Sequence, residues 1–260
     1  MSILIRPLRA LVRAGTAAAF HAGKLFLLTL AIVRATLRGQ VRLSHVLAQT
    51  HEAGVRSLPL VILTAILSGV VTSQQGGYQF TGSVPLYILG SVVSSSVILE
   101  LGPVMTAFVI IGRVGARITA ELGTMKVSEQ IDALYSLGRD PVAFLAAPRL
   151  IAGLVVMPAL VAVANLVGFF AGLLAAHLTV GLGSESFLYG ARLFWHDWDL
   201  LYSLIKGLAF GFLIPIISLH MGFTTEGGAE GVGRTTTQAV VFMIIAVLTI
   251  DALFPPLFLN

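Results

Sequence analysis

An all-α, multi-pass membrane protein is the fold class this sequence predicts, and three features predict it. Hydrophobic residues fill 57% of the 260 positions and charged residues only 11%, with a mean hydropathy of +0.94, which leaves too little polar surface to cover a soluble globule. The apolar residues gather into five stretches, at about 55–75, 84–111, 148–177, 200–222 and 237–258. Each is long enough for the roughly 20 helical residues that cross a hydrocarbon core of about 30 Å. The cations are also segregated: eight (Arg6, Arg9, Arg13, Lys24, Arg34, Arg38, Arg42, Arg56) lie in or before the start of the first stretch, and five (Arg113, Arg117, Lys126, Arg139, Arg149) surround the loop after the second. Basic loops stay on the cytoplasmic side, so the N-terminus is expected inside and, after five crossings, the C-terminus outside.

Along the chain, residues 5–38 alternate Arg with Leu, Ile, Val and Phe, and their longest apolar run is too short to span. An amphipathic helix lying at the cytoplasmic interface is the expectation, with a sixth span as the other reading. The first span ends in Thr72-Ser-Gln-Gln-Gly-Gly-Tyr-Gln-Phe80, polar without charge, where Gln75 and Tyr78 suit either a vestibule for an amphiphile or an interfacial aromatic belt. The second contains Glu100, followed at once by Gly102-Pro103. Pro103 has no N–H, so the Leu99 carbonyl loses its helical partner and a break is expected beside the acid. Lys206 in the fourth span and Asp251 in the fifth are the other ionisable residues at membrane depth. An isolated charge there costs roughly 2.5–3.5 kcal/mol, so each is expected to face protein or a wet cavity, or to pair as Glu100–Lys206 or Asp251–Lys206. Lys206 and Asp251, toward the outer ends of their helices, have snorkelling as a further escape.

Between the second and third spans, Ser128 is placed to cap a short helix whose first turn carries Glu129, and Gly138 with Pro141 ends it. Ile131, Leu134 and Leu137 fall on one stripe with Glu129 and Asp132 at its flank. A helix over 128–138 that cannot bury such a stripe alone is suited to a groove on a partner protein or to the membrane surface. Gly168-Phe-Phe-Ala-Gly172 and Gly207-Leu-Ala-Phe-Gly211 set small residues one turn apart, which lets neighbouring helices approach closely. The segments 112–147 and 178–199 read as loops without cores of their own, so residues 1–260 form one domain with its transmembrane region over 55–258.

Several chemistries are excluded. Without cysteine there is no disulfide, thiol nucleophile or thiolate metal site. Gly23-Lys24 is followed by Leu25 and lacks the upstream glycine of a phosphate-binding loop, so the chain has no ATPase site of that kind. His196-Asp197-Trp198-Asp199 lacks metal-ligand spacing, and Ser218 and His220, two apart on a helix, point to different sides. No catalytic residue, metal or cofactor is assigned.

At these residues the sequence resembles the MlaE/YrbE family of ABC-transporter permeases, which act with MCE-domain proteins in lipid transport. The matching stretches are Gln75-Gly-Gly-Tyr-Gln79, Glu100-Leu-Gly-Pro103, Gly112-Arg-Val-Gly-Ala-Arg117, Ala120-Glu-Leu-Gly-Thr-Met-Lys126, Glu129-Gln-Ile-Asp-Ala-Leu134, Gly138-Arg-Asp-Pro141 and Pro148-Arg149. The resemblance implies a homodimeric permease of a bacterial inner membrane, bound to two cytoplasmic ATPase subunits that carry the ATP and magnesium and to a periplasmic ring of MCE proteins. Its implied cargo is phospholipid or a related hydrophobic molecule moving between inner membrane and outer envelope. Glu129, Asp132, Leu134 and Gly138 would then belong to the ATPase-coupling helix, and Gln75, Tyr78, Glu100, Lys206 and Asp251 would line the substrate cavity. Leu99 stands where many members have a basic residue. Read from the residues alone, an ion-coupled secondary transporter using Glu100 and Asp251 is the alternative.

Overall fold

With no water to satisfy backbone amides, a membrane-spanning chain closes its hydrogen bonds within helices, and the computed structural model, which describes residues 20, 22–80, 82 and 84–258, shows helices and no strand among those residues. Helix α1 covers 22–37, burying Ile32 and Ala35 and exposing Phe26, Leu27 and Leu37. Positions 5–19 and 21 of the interfacial helix expected over 5–38 lie outside the described residues. Helices α2 (Leu43–Ala53) and α3 (Leu58–Gln79) are joined by a tight turn, Val55–Ser57, into one rod. Next come α4 (Ile88–Ser95), α5 (Gly102–Ile110) and α6 (Ala116–Val127), linked by the π-helical segments Ser96–Leu101 and Ile111–Gly115 into a second rod, Ile88–Val127. The short α7 (Gln130–Ser136) precedes α8 (Ala147–Ala175), which π-helical turns at both ends extend to Val142–Val180. Helix α9 (Ser184–Leu193), α10 (Asp197–Phe223) and α11 (Gly228–Phe258) complete the chain.

The five rods that are long and apolar enough to cross a membrane contain the five expected spans, apart from four residues at the start of the second. They measure 27 to 40 residues, more than the hydrocarbon core requires, so their ends project beyond it. Helix α8 is the centre of the bundle, packed by α2, α3, α5 and α10, while α6 lies against α10 and α11. The apolar windows of the second, third and fourth rods are half buried or more; those of the first and fifth are only 22% and 17% buried, leaving the outer faces of α3 and α11 bare.

Glycine sets the closest crossings. A Cβ on Gly69 would overlap the Gly168 carbonyl oxygen, and one on Gly153 would come within 2.6 Å of the Gly211 oxygen. The small-residue pairs therefore do bring α3 and α10 against α8.

The segment 112–147 is not a loop. The helix continues to Val127 because Ile111, Val114, Ile118 and Leu122 recur at helical spacing and bury themselves, while charged Arg117 and Glu121 find partners on neighbouring helices. The segment 178–199 likewise contains α9, whose Phe187, Gly190 and Ala191 are buried, with Phe187 in a small second core beside Leu89 and Val93 of α4.

Candidate functional site

Pro103 denies Leu99 its hydrogen bond, and the chain answers with an extra residue in the turn. Over Ser96–Leu101 the helix widens to π geometry, the Gly102 N–H donating to Val97 O, five residues back. The expected break beside Glu100 takes this form. The Leu99 carbonyl is not left bare: Lys206 Nζ donates to it at 3.1 Å. The same ammonium donates to Glu100 Oε2 at 2.5 Å and lies 2.5 Å from Asp251 Oδ1, an ion pair off the hydrogen-bonding direction. Three oxygens thus surround a cation with three N–H groups. The Tyr202 ring stands 5.5 Å from Nζ and meets Phe254 edge-on.

Lys206 is 0% exposed, so the snorkelling open to it does not occur. Its charge is met locally instead. The Asp251 side chain is 19% exposed and that of Glu100 45%. The expected alternatives, Glu100–Lys206 or Asp251–Lys206, are both realised in one triad that joins three rods. Its exposed edge is Glu100.

Sequence reasoning missed the residues that hold this turn in place. Asn165 of α8 donates through Nδ2 to Ser203 Oγ at 2.8 Å, one turn before Lys206, and its Oδ1 presses against Gly102, where no Cβ would fit. The signal was present: Asn165 is the sole amide in the apolar run 150–176. Gln75 and Tyr78 stand exposed at the end of α3, Tyr78 at 85%, and no hydrogen bond or ion pair joins them to the triad among the described residues.

At the basic end, Glu52 pairs with Arg56 at 2.7 Å and with Arg117, while Arg113 donates to Ser57 Oγ at 2.5 Å. Arg149, 5% exposed, donates to Glu121 at 2.7 Å and to Leu145 O at 2.8 Å. The first three rods are thereby tied together beside α7. This short helix differs from expectation in three ways. Ser128 does not cap it but donates back to Thr124 O, closing α6. Glu129 is its N-cap, in the left-handed region at φ 60°, because the chain must reverse between two helices within two residues. Of the apolar stripe, Ile131 is buried and Leu134 half-buried against the core, so only Leu137, at 75% exposure, and Tyr135, at 60%, are offered outward. Asp132 pairs with Lys126 at 3.2 Å, and Gly138, at φ 71°, ends the helix as expected.

The family model for the permease MlaE matches residues 46–256. The chain belongs to the MlaE permease family. Its similarity to named relatives runs through most of its length: a probable ABC transporter permease protein of Rickettsia felis is 37% identical over 236 residues, 91% of each chain. One from Synechocystis is 38% identical over 222 residues, 85% of this chain and 84% of the relative. The chloroplastic Arabidopsis thaliana protein Trigalactosyldiacylglycerol 1 is 35% identical over 220 residues, 85% of this chain and 63% of that one.

Membership of an ABC permease family implies ATPase subunits as partners. In α7, the left-handed N-cap Glu129 carries a test of its own. A Cβ in the left-handed region costs about 1–2 kcal/mol, so Glu129→Gly in this MlaE permease is expected to leave the unfolding midpoint unchanged or raised. A lowered midpoint in a detergent thermal scan would assign the Glu129 side chain a contact of its own.

Proposed function

We propose that this MlaE permease is the transmembrane half of an ATP-driven transporter that moves phospholipid, or a related hydrophobic molecule, between a bacterial inner membrane and the outer envelope together with MCE proteins. It works as a homodimer on two cytoplasmic ATPase subunits, its N-terminus inside and C-terminus outside. The observation that supports this best is the position of Glu100: a half-exposed carboxylate within an apolar span, held from behind by a wholly buried lysine. Bare to hydrocarbon it would cost roughly 2.5–3.5 kcal/mol. Its face therefore fronts a cavity wet enough to admit a headgroup, closed by a second copy against the bare faces of α3 and α11. Gln75 and Tyr78 complete the lining, while Lys206 and Asp251 act on it from behind, through Glu100. The Arabidopsis relative is named for a galactolipid, a two-chain amphiphile of the kind such a cavity would take.

Coupling runs along one rod. Glu100 and the approach to α7 belong to the same helix, Ile88–Val127, so a push on α7 by closing ATPase subunits reaches the triad through about 40 Å of continuous helix. Glu129, Asp132, Leu134 and Gly138 shape and present α7, with Tyr135 and Leu137 as its outward apolar contacts. No covalent chemistry takes place on this chain.

Asp132→Arg tests the reading. It replaces an exposed ion pair with a like-charge contact to Lys126, which costs the fold about 1 kcal/mol or less, so the unfolding midpoint should hardly move. Capture of the ATPase subunits and ATP-dependent lipid movement between reconstituted vesicles are both expected to fall below a tenth of wild type. Survival of both would show that α7 is not the coupling element.

A further inference from the structure

We propose that the cleft between α2 and the connection from α7 to α8 binds a phosphate ester, and its depth favours the phosphodiester headgroup of an anionic lipid over a soluble phosphate. The cleft encloses about 310 Å³, and its lining includes Gln40, Arg42, His45, Arg139, Asp140 and Phe144. Phe144 organises it: the His45 ring meets Phe144 edge-on at 4.8 Å between centroids, and the Arg139 guanidinium lies 5.6 Å from the Phe144 centroid. The turn at Gly138 brings Arg139 there, its N–H donating to Leu134 O at 3.0 Å.

The two arginines are the point. Arg56, Arg117, Lys126 and Arg149 each have a carboxylate within ion-pair distance, whereas Arg42 and Arg139 have none among the described residues. Asp140, the acid in the lining, spends its Oδ1 on the Val142 N–H at 2.9 Å, where the third rod begins. Two guanidinium forks therefore line one cleft whose single carboxylate, Asp140, is within ion-pair distance of neither. Such forks match the paired oxygens of a phosphate.

Position names the source. The apolar rod Val142–Val180 starts at the wall of the cleft and is longer than the hydrocarbon core requires, so the cleft lies at its projecting end, on the headgroup side of the core. Basic pockets at such span ends take phosphate-bearing headgroups. The volume suits a headgroup and excludes a whole two-chain lipid. Exposed Leu43 and Leu47, one turn apart on α2, offer apolar surface to the chains. The transport reading uses Glu100 and the outward face of α7, not this cleft, so either can fail alone.

The test is a titration of the full-length protein in neutral detergent with dihexanoyl phosphatidylglycerol, dihexanoyl phosphatidylcholine and inorganic phosphate, followed by phosphorus NMR line width. Phosphatidylglycerol is expected to bind about tenfold or more tighter than phosphatidylcholine, and R42Q/R139Q to lose about tenfold or more of that affinity, as two charge-assisted hydrogen-bonding groups would require. R42K/R139K, which keeps charge without the fork, should fall between, and circular dichroism checks that each variant is folded. Weak inorganic phosphate binding supports the headgroup; equal affinity supports the site but names a soluble phosphate ester as its ligand. Unchanged phosphatidylglycerol affinity in folded R42Q/R139Q overturns the proposal. So does loss of ATPase capture with lipid affinity intact, which would make the cleft a protein contact.

Discussion

Lys206→Met is expected to lower stability by roughly 3 kcal/mol and to abolish ATP-dependent lipid movement, because it leaves two carboxylates facing one another at membrane depth without their cation. Breaking a buried ion pair from one side typically costs about 3–5 kcal/mol; the lower end applies here because the Glu100 side chain is 45% exposed and that of Asp251 19%. The diagnostic variant is E100Q/K206M/D251N. It removes all three charges and conserves volume, so its thermal midpoint in lipid nanodiscs should return to within about 1 kcal/mol of wild type, neutral groups of similar shape replacing a buried network at little net cost. Transport should remain lost. A triple variant that moves lipid at the wild-type rate would make the triad a structural clasp and remove Glu100 from the cavity wall.

The features legible in the sequence were those encoded in local chemistry. Spans showed as apolar length, the break at Glu100 as a missing proline N–H, the end of α7 as Gly138, and the close crossings as paired glycines. What escaped was what depends on neighbours. The extension of the second rod to Val127 carries Arg113, Arg117, Glu121 and Lys126, and hydropathy reads that polarity as loop. Only the burial of Ile118 and Leu122 against α10 and α11, and the pairing of Arg117 with Glu52 and Arg149 with Glu121, keeps it helical. Pairing of Lys206 was legible as opposite signs at membrane depth; what was hidden is that Glu100 and Asp251 meet it together and that it is too deep to snorkel. Ser128 had the right identity for a cap, yet its hydroxyl was taken by the helix behind it.

Gly69→Val is the second large effect, expected to cost about 2–3 kcal/mol, the scale of overpacking a tight core. At this crossing backbone meets backbone: a Cβ on Gly69 would lie on the Gly168 carbonyl oxygen, and rigid peptide groups, unlike the tip of a long side chain, cannot step aside. The valine must push α3 off α8 along the bundle's most extensive seam, opening voids beside Val61 and Ala65, which are buried in the wild type. Gly233→Ala on α11 is the control. Its Cβ meets nothing within 4 Å, so the midpoint should hold or rise by about 0.5–1 kcal/mol through reduced unfolded-state entropy. The consequence reaches the site because a Cβ on Gly168 would stand 2.9 Å from Val97, whose carbonyl accepts the Gly102 N–H of the π turn beneath Glu100. Displacing that seam should therefore slow lipid movement more than the lost folded fraction explains, measured per folded protein after size-exclusion recovery. If transport per folded protein is unchanged while the midpoint falls, the α3–α8 seam supports the fold alone and the π turn is positioned without it, by Asn165 of α8 together with Ser203 of α10.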